Sequence, residues 1–212
     1  MPTVENRISR RKFISGFTLS TLAVLASSNL ATHEILNSTL SLEQVEASMR
    51  QKAADGIEIE EAYVYDPKTK IQLLHIQGVI GGVRALTDKE RKIADRKIYT
   101  HFHPQYVKGE LAIPTLGLED MYEAYYDGFL ETRATGVNPE TGLNYLSRAN
   151  LGNRMWWPDM PKNNLQRLID KELYNLQDSG MSELAKYTQA YNTVFLRHAK
   201  ENNFIYEYLE WK

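Results

Sequence analysis

The chain has 212 residues, a formal net charge of −2 and no cysteine. The near-neutral charge gives no basic footprint for nucleic acid, and the missing thiols exclude disulfides, thiolate metal ligands and cysteine nucleophiles. Any transition-metal site must therefore draw on carboxylates and on the histidines, which are His33, His75, His101, His103 and His198.

The N-terminal segment has the layout of an export signal. Arg10 and Arg11 precede an apolar run over 13–28 that carries no charge and is shorter than the ~20 residues of a bilayer-spanning helix. The order S-R-R-x-F-I resembles the twin-arginine (Tat) signal, which implies export of the folded protein to the periplasm or beyond. We predict a signal peptide over 1–28 and a polar linker over 29–40, with contact to the membrane only through this signal or an uncleaved anchor.

Helix and strand signals alternate along the rest of the chain. Capping boxes at Ser41 and Thr87 predict helix starts, and two apolar runs around the turn DPKTK predict a β-hairpin. The stretch VIGGVRAL can be strand or loop. Further strands are predicted over 97–103 and 143–151, and further helices over 118–129, 162–177 and 182–202. The alternation favours an α/β fold, a mixed β-sheet flanked by helices.

The C-terminal part and a tryptophan pair have two interpretations each. Aromatic side chains that include Tyr206, Tyr208 and Trp211 predict a helical layer packed on the sheet or, alternatively, an interaction surface. Trp156 and Trp157 follow a polar stretch and either close the end of a core or line a groove for a partner.

The stretch YTHFHP contains the histidine pair. Side chains two apart in a strand share a face, so His101 and His103 project side by side while Phe102 turns into a core. Asp120 falls in the first turn of the next helix, off its apolar stripe, and can complete a site of two histidines and one aspartate. Such a set leaves one zinc position open, as in catalytic zinc sites. Alternatively, the histidine spacing is chance and Asp120 only stabilises the helix N-terminus.

The motif H-x-H-P, then P-T, then E-D, resembles the JAMM (MPN/JAB) metalloprotease-like domains. The matching residues are His101, His103, Pro104, Pro114, Thr115, Glu119 and Asp120. The resemblance implies Zn²⁺ bound by His101, His103 and Asp120, an MPN/JAB-like fold with cytidine-deaminase-like layering, and hydrolysis of a peptide or isopeptide bond in a peptide or protein substrate. It assigns residues 41–160 to this domain and residues 161–212 to a C-terminal helical extension.

Two departures from the family pattern bear on activity. The loop between His103 and Asp120 is longer than in compact members, and Gly117 stands where the family has a serine that steadies the oxyanion of the tetrahedral intermediate. Gly117 can still cap the helix, and Thr115 is the nearest substitute hydroxyl. A degenerate domain that acts as a binding or interaction module is therefore the alternative to a hydrolase.

The family also uses an upstream glutamate as general base, and the stretch IEIEEAYVYD offers three. Glu58 and Glu60 share one face of the predicted strand, and Glu61 takes the other. We assign the catalytic role to Glu60, with Glu58 second, by its distance from the following turn. The alternative is a solvated strand end rich in glutamate.

The histidine pair has a second resemblance. T-H-F-H-P also resembles the start of the metallo-β-lactamase motif, but Gln105 and Tyr106 stand where that motif needs aspartate and histidine. His75 and His198 lie in apolar surroundings that favour structural roles.

Overall fold

The computed structural model describes residues 40–152 and 162–212. The predicted signal peptide, the linker up to residue 39, and the tryptophan pair lie outside the described residues.

The described residues form five α-helices that flank a sheet. They are α1 (Leu42–Ala54), α2 (Asp88–Ala94), α3 (Leu118–Tyr126), α4 (Lys162–Asn175) and α5 (Glu183–Asn202). Both predicted capping boxes are present, at Ser41 with Gln44 and at Thr87 with Glu90. These bonds satisfy N–H groups that the first helical turn leaves without partners. Within 40–152 and 162–212, no helix combines the length and the apolar character that crossing a bilayer requires.

The strands of the described residues form one large sheet and one small hairpin. They are β1 (Ile59–Tyr65), β2 (Gln72–Ile80), β3 (Gly82–Val83), β4 (Ile98–Phe102), β5 (Tyr106–Val107), β6 (Glu110–Leu111), β7 (Glu131–Val137), β8 (Asn144–Asn150) and β9 (Ile205–Trp211). The seven-stranded sheet has the order β3-β2-β1-β4-β7-β8-β9, and β5 pairs with β6. Only β4 and β7 pair in parallel within it. The predicted α/β class, a mixed sheet flanked by helices, is confirmed.

Two strands depart from the sequence expectation. The helical assignment of Tyr206, Tyr208 and Trp211 is wrong, because α5 ends at Asn202. Asn203 caps the helix in a left-handed conformation, and the chain then returns as β9, which pairs with the whole of β8. Strand β7 was not predicted, since its sequence ETRATGV mixes charged and small residues with few apolar ones. Its polar side chains find partners in the fold; for example, Arg133 Nη1 donates to Glu46 Oε1 at 3.0 Å.

Each face of the sheet packs on a separate apolar cluster. Helix α1 covers one face, where Phe102 is fully buried with Tyr65, Met49 and neighbouring residues. Helices α3, α4 and α5 pack over the other face, on a cluster that includes Ala62 and Ala134. Because Phe102 points toward α1, its neighbours His101 and His103 point toward the α3 side, as the strand period predicts.

Candidate metal centre

Three side chains converge between β4 and α3. His101 Nε2 lies 2.9 Å from His103 Nε2 and 3.3 Å from Asp120 Oδ1, while His103 Nε2 lies 3.3 Å from Asp120 Oδ2. Among the described residues, these three side chains form a cluster that could hold a metal ion. The predicted convergence of His101, His103 and Asp120 is therefore present in the fold.

Backbone contacts hold His103 in place. The N–H of His103 donates to Thr135 O at 3.0 Å and so extends the ladder of β4 and β7 beyond Phe102. His103 Nδ1 lies 3.4 Å from Ile113 O, which leaves Nε2 to face Asp120. A partner on the second ring nitrogen fixes the orientation of a metal-binding imidazole.

The start of α3 positions the carboxylate. Gly117 is the N-cap of this helix, as predicted, and its N–H donates to Asp120 Oδ2 at 2.6 Å. A methyl group on Gly117 would lie 3.2 Å from the same oxygen, closer than most such contacts allow. Glycine at this position therefore lets the carboxylate fold back against the helix start while its oxygens face the histidines.

The donor set and its spacing fit a small divalent cation. Zinc binds histidine nitrogen and carboxylate oxygen at about 2.0–2.1 Å, and a tetrahedron of that size has edges of about 3.3 Å. The histidine nitrogens lie 2.9 Å apart, and each lies 3.3 Å from one of the two carboxylate oxygens of Asp120, which is close to that edge. One cation can therefore contact all three side chains without rearrangement of the backbone.

The charges of the cluster reinforce one another. Burial alone lowers the pKa of His103, but the charge and hydrogen bond of Asp120, with the charge of Glu60, outweigh it and raise that pKa to about 9. Burial alone raises the pKa of Asp120, but His101 and His103 outweigh it and hold that pKa well below its usual range. Without a cation, His103 is therefore protonated at neutral pH beside an ionised Asp120.

Metal affinity should consequently depend on pH. A histidine must lose its proton to bind a metal, and the pKa of His103 is about 9. Below pH 9, metal affinity should therefore increase about tenfold for each unit by which the pH is raised. Chelator competition at pH 7 and pH 8 measures this, and calorimetry in buffers of different ionisation enthalpy counts the released proton. Equal affinity at both pH values would contradict the assigned state of His103.

The three candidate glutamates lie in different surroundings. Glu60 is 8% exposed. Ala62 on β1 pairs with His101 on β4, and Glu60 lies two residues from Ala62 on the same sheet face, in the direction of His103. Glu60 therefore faces the metal cluster. Burial raises the pKa of Glu60, and His103 and His101 partly offset this rise. A buried carboxylate with a raised pKa beside a cluster of metal ligands suits a general base.

The other two glutamates have partners elsewhere. Glu58 Oε2 accepts from the N–H of Lys108, in the loop between β5 and β6, at 3.3 Å. Glu61 lies on the opposite face, where its carboxylate accepts from Lys52 Nζ at 2.7 Å and from Tyr63 Oη at 2.9 Å. Glu60 is therefore buried next to the histidines, Glu58 contacts the loop between β5 and β6, and Glu61 lies on the opposite face of the sheet.

Thr115 does not supply the hydroxyl that Gly117 lacks. Its Oγ1 is buried in a polar network with Asn192 at 2.8 Å, Tyr206 at 2.9 Å and Ser147 at 3.1 Å. The network ties the loop before α3 to α5, β8 and β9. Thr115 thus serves packing.

We expect Thr115→Val to lower stability while leaving metal binding intact. The change removes a hydroxyl that contacts the side chains of Asn192, Tyr206 and Ser147, and a typical hydrogen bond contributes about 0.5–1.5 kcal/mol to stability. Chemical denaturation measures the loss, with Thr193→Val, at a half-buried position in α5, as the control. A neutral Thr115→Val change would contradict the structural role.

The remaining described histidines make other contacts. His75 stacks on Tyr63 with ring centroids 4.4 Å apart, on the sheet face away from the cluster. His198 is buried in α5, where its Nδ1 lies 2.7 Å from Asn202 Nδ2. Both sets of contacts agree with the structural roles that the sequence favours, and neither histidine joins the metal cluster.

One buried polar group on this face of the sheet is not among the site residues that the sequence predicts. Tyr145, on β8, is 1% exposed, and its hydroxyl has no hydrogen-bond partner among the residues that the structure describes. It lies on the same sheet face as His101 and His103, because Gly136 pairs with Tyr145 and Ala134 pairs with His101. No local signal marks this tyrosine, since its place depends on the pairing of β7, which the sequence pattern does not reveal.

Comparisons of the chain with protein-family models, with curated proteins and with solved structures found no match.

Proposed function

We propose that this protein is a zinc-dependent hydrolase of peptide or isopeptide bonds, related in its site to the JAMM metalloproteases. The observation that supports it is the convergence of His101, His103 and Asp120 at cation-binding distances, with the buried Glu60 beside them. This combination of two imidazoles, one carboxylate and a separate carboxylate base is what metal-assisted amide hydrolysis requires.

Each part of the site has a task in that reaction. A zinc ion bound there would polarise the substrate carbonyl and lower the pKa of water to about 7. Glu60 takes the proton of the attacking water as its oxygen forms a bond to the carbonyl carbon, and the carbonyl electron pair moves onto the carbonyl oxygen. The electron pair on that oxygen then re-forms the carbonyl as the carbon–nitrogen bond breaks, and Glu60 gives its proton to the leaving nitrogen, so that Glu60 ends as it began.

The direct test combines metal analysis with a hydrolysis assay. Protein purified without added metal is analysed for bound ions, then incubated with fluorogenic peptides and lysine-linked isopeptides, with and without a chelator. We expect about one zinc per chain, turnover that the chelator abolishes, and recovery when zinc returns. Absence of any bound metal, with none taken up from added zinc, would rule out the proposal.

A binding module is the second candidate, and two observations favour it. Gly117 has no hydroxyl, and the hydroxyl of Thr115 is fully engaged elsewhere. Losing one oxyanion donor costs about 10²–10³ in rate in comparable hydrolases. Stoichiometric zinc without turnover of any peptide or isopeptide would support this candidate over the hydrolase.

A further inference from the structure

Tyr145 stands opposite Glu60 across His103. Ala62 pairs with His101, and Glu60 and His103 each lie two residues further along the same sheet face. His101 pairs with Ala134. Two residues after Ala134, Gly136 pairs with Tyr145. These registers, continued past their last paired residues, align Glu60, His103, Gly136 and Tyr145 across the sheet. The carboxylate lies on one side of the histidine, and the tyrosine lies two strands away on the other.

The glycine in this row lets the tyrosine ring reach toward the histidine. A methyl group on Gly136 would lie 3.0 Å from both Cε1 and Oη of Tyr145, and 2.7 Å from His103 O. The hydroxyl end of the ring therefore occupies the space above Gly136, where any other residue would place a side chain. The ring leans from β8 across β7, toward the side of the sheet on which the chain passes through His103.

The hydroxyl is buried and keeps its proton. Neither a described side chain nor a described backbone group accepts from it or donates to it, and unpaired buried hydroxyls are rare in folded proteins. Burial raises the pKa of Tyr145 well above its ordinary value, and the charges of Tyr208, Glu60 and Asp120 raise it further. The group is therefore a donor at all physiological pH values.

We propose that Tyr145 donates a hydrogen bond to the carbonyl oxygen of the substrate as negative charge develops there. This inference rests on the proposed hydrolase function, because it assigns the oxyanion donor for that reaction. The position suits the role: Glu60 handles the water on one side of His103, and Tyr145 meets the oxygen on the other. Donors aimed at a developing oxyanion act strongly in a buried site, where water does not compete.

The test compares Tyr145→Phe with Tyr208→Phe. Tyr208 stacks on Tyr145 at 6.2 Å, and its own hydroxyl donates to Glu210 Oε1 at 2.6 Å, which makes it a matched control outside the site. We expect Tyr145→Phe to bind zinc as the wild type does, to keep KM, and to lose about 10²–10³ in kcat. We expect Tyr208→Phe to keep kcat.

A second readout does not depend on turnover. The probe is the Ala-Ala dipeptide analogue in which a tetrahedral phosphinate replaces the amide, with Ala-Ala itself as the ground-state reference. Tyr145→Phe should weaken binding of the phosphinate to the zinc-loaded protein by at least about tenfold and leave binding of Ala-Ala unchanged. The ion-free variant should melt no lower than the wild type, because the hydroxyl it lacks has no partner in the free protein.

Three outcomes overturn the inference: unchanged kcat and phosphinate affinity in Tyr145→Phe, a lower melting temperature as the only effect, or a wild type that binds phosphinate no better than Ala-Ala. The first shows that the hydroxyl does not contact the reacting oxygen, and the second shows that its role is structural. These results are distinct from failure of the proposed function. If the wild type binds zinc without turnover, the hydrolase proposal fails, while loss of phosphinate affinity in Tyr145→Phe still supports the donor.

Discussion

Replacing His103 by alanine is expected to abolish stoichiometric zinc binding and, with it, all hydrolysis. His103 supplies one of three ligand atoms, and its Nε2 lies 3.3 Å from Asp120 Oδ2 and 2.9 Å from His101 Nε2. Only two ligands remain in the variant, whereas a catalytic zinc is held by three protein ligands. This effect is the largest expected for any single change, because the other side chains of the site act only on the water and the substrate that a bound cation would hold.

Thermal stability in the presence of zinc gives a measurement that needs no substrate. A ligand that binds only the folded state stabilises it by about 4 kcal/mol at a thousandfold excess over its Kd. The wild type should gain stability with added zinc, and His103→Ala should gain none. His75→Ala is the matched control, since His75 lies on the other face of the sheet. If His103→Ala retains one tightly bound zinc per chain, the assignment of the ligands is wrong.

Glu60→Gln should bind zinc like the wild type and lose about 10²–10⁴ in kcat, the usual contribution of a positioned general base. The substitution keeps the shape of the side chain and removes its ability to take a proton. It tests the role of Glu60 alone, because that residue is not among the three ligands. Steady-state kinetics on the metal-loaded variant measures the loss.

Glu61→Gln is the control for this change. Glu61 is the next residue on β1 but points to the opposite face, where it contacts Lys52 and Tyr63. It should keep kcat, although the loss of its charge weakens those contacts. Full activity in a zinc-loaded Glu60→Gln variant would refute the role of the base without affecting the ligands, and Glu58→Gln would be the next variant to measure.

Much of the site follows from short-range patterns in the sequence. The strand period of two places His101 and His103 on one face and Phe102 on the other. The helix that begins after Gly117 places Asp120 in its first turn. The alternation along β1 separates Glu61 from Glu60. Each of these features depends on the geometry of a single element, which a few neighbouring residues determine.

The tertiary structure decided which of these groups meet. The register of β1 on β4 brings Glu60 next to the histidines, because it sets Ala62 opposite His101. The pairing of β7 between β4 and β8, which no local periodicity predicts, brings Tyr145 into the same row. The return of the chain as β9 places Tyr206 against Thr115 and so takes that hydroxyl away from the site.

The sequence by itself thus determined the direction of each ligand side chain, the helix starts and the α/β class. It left open the order of strands, the choice among the glutamates and the partner of every buried hydroxyl. The physical reason is the range of the interactions: turns, caps and side-chain alternation arise within a few residues, while strand register and buried polar contacts arise between segments that lie tens of residues apart and depend on the packing of the whole sheet.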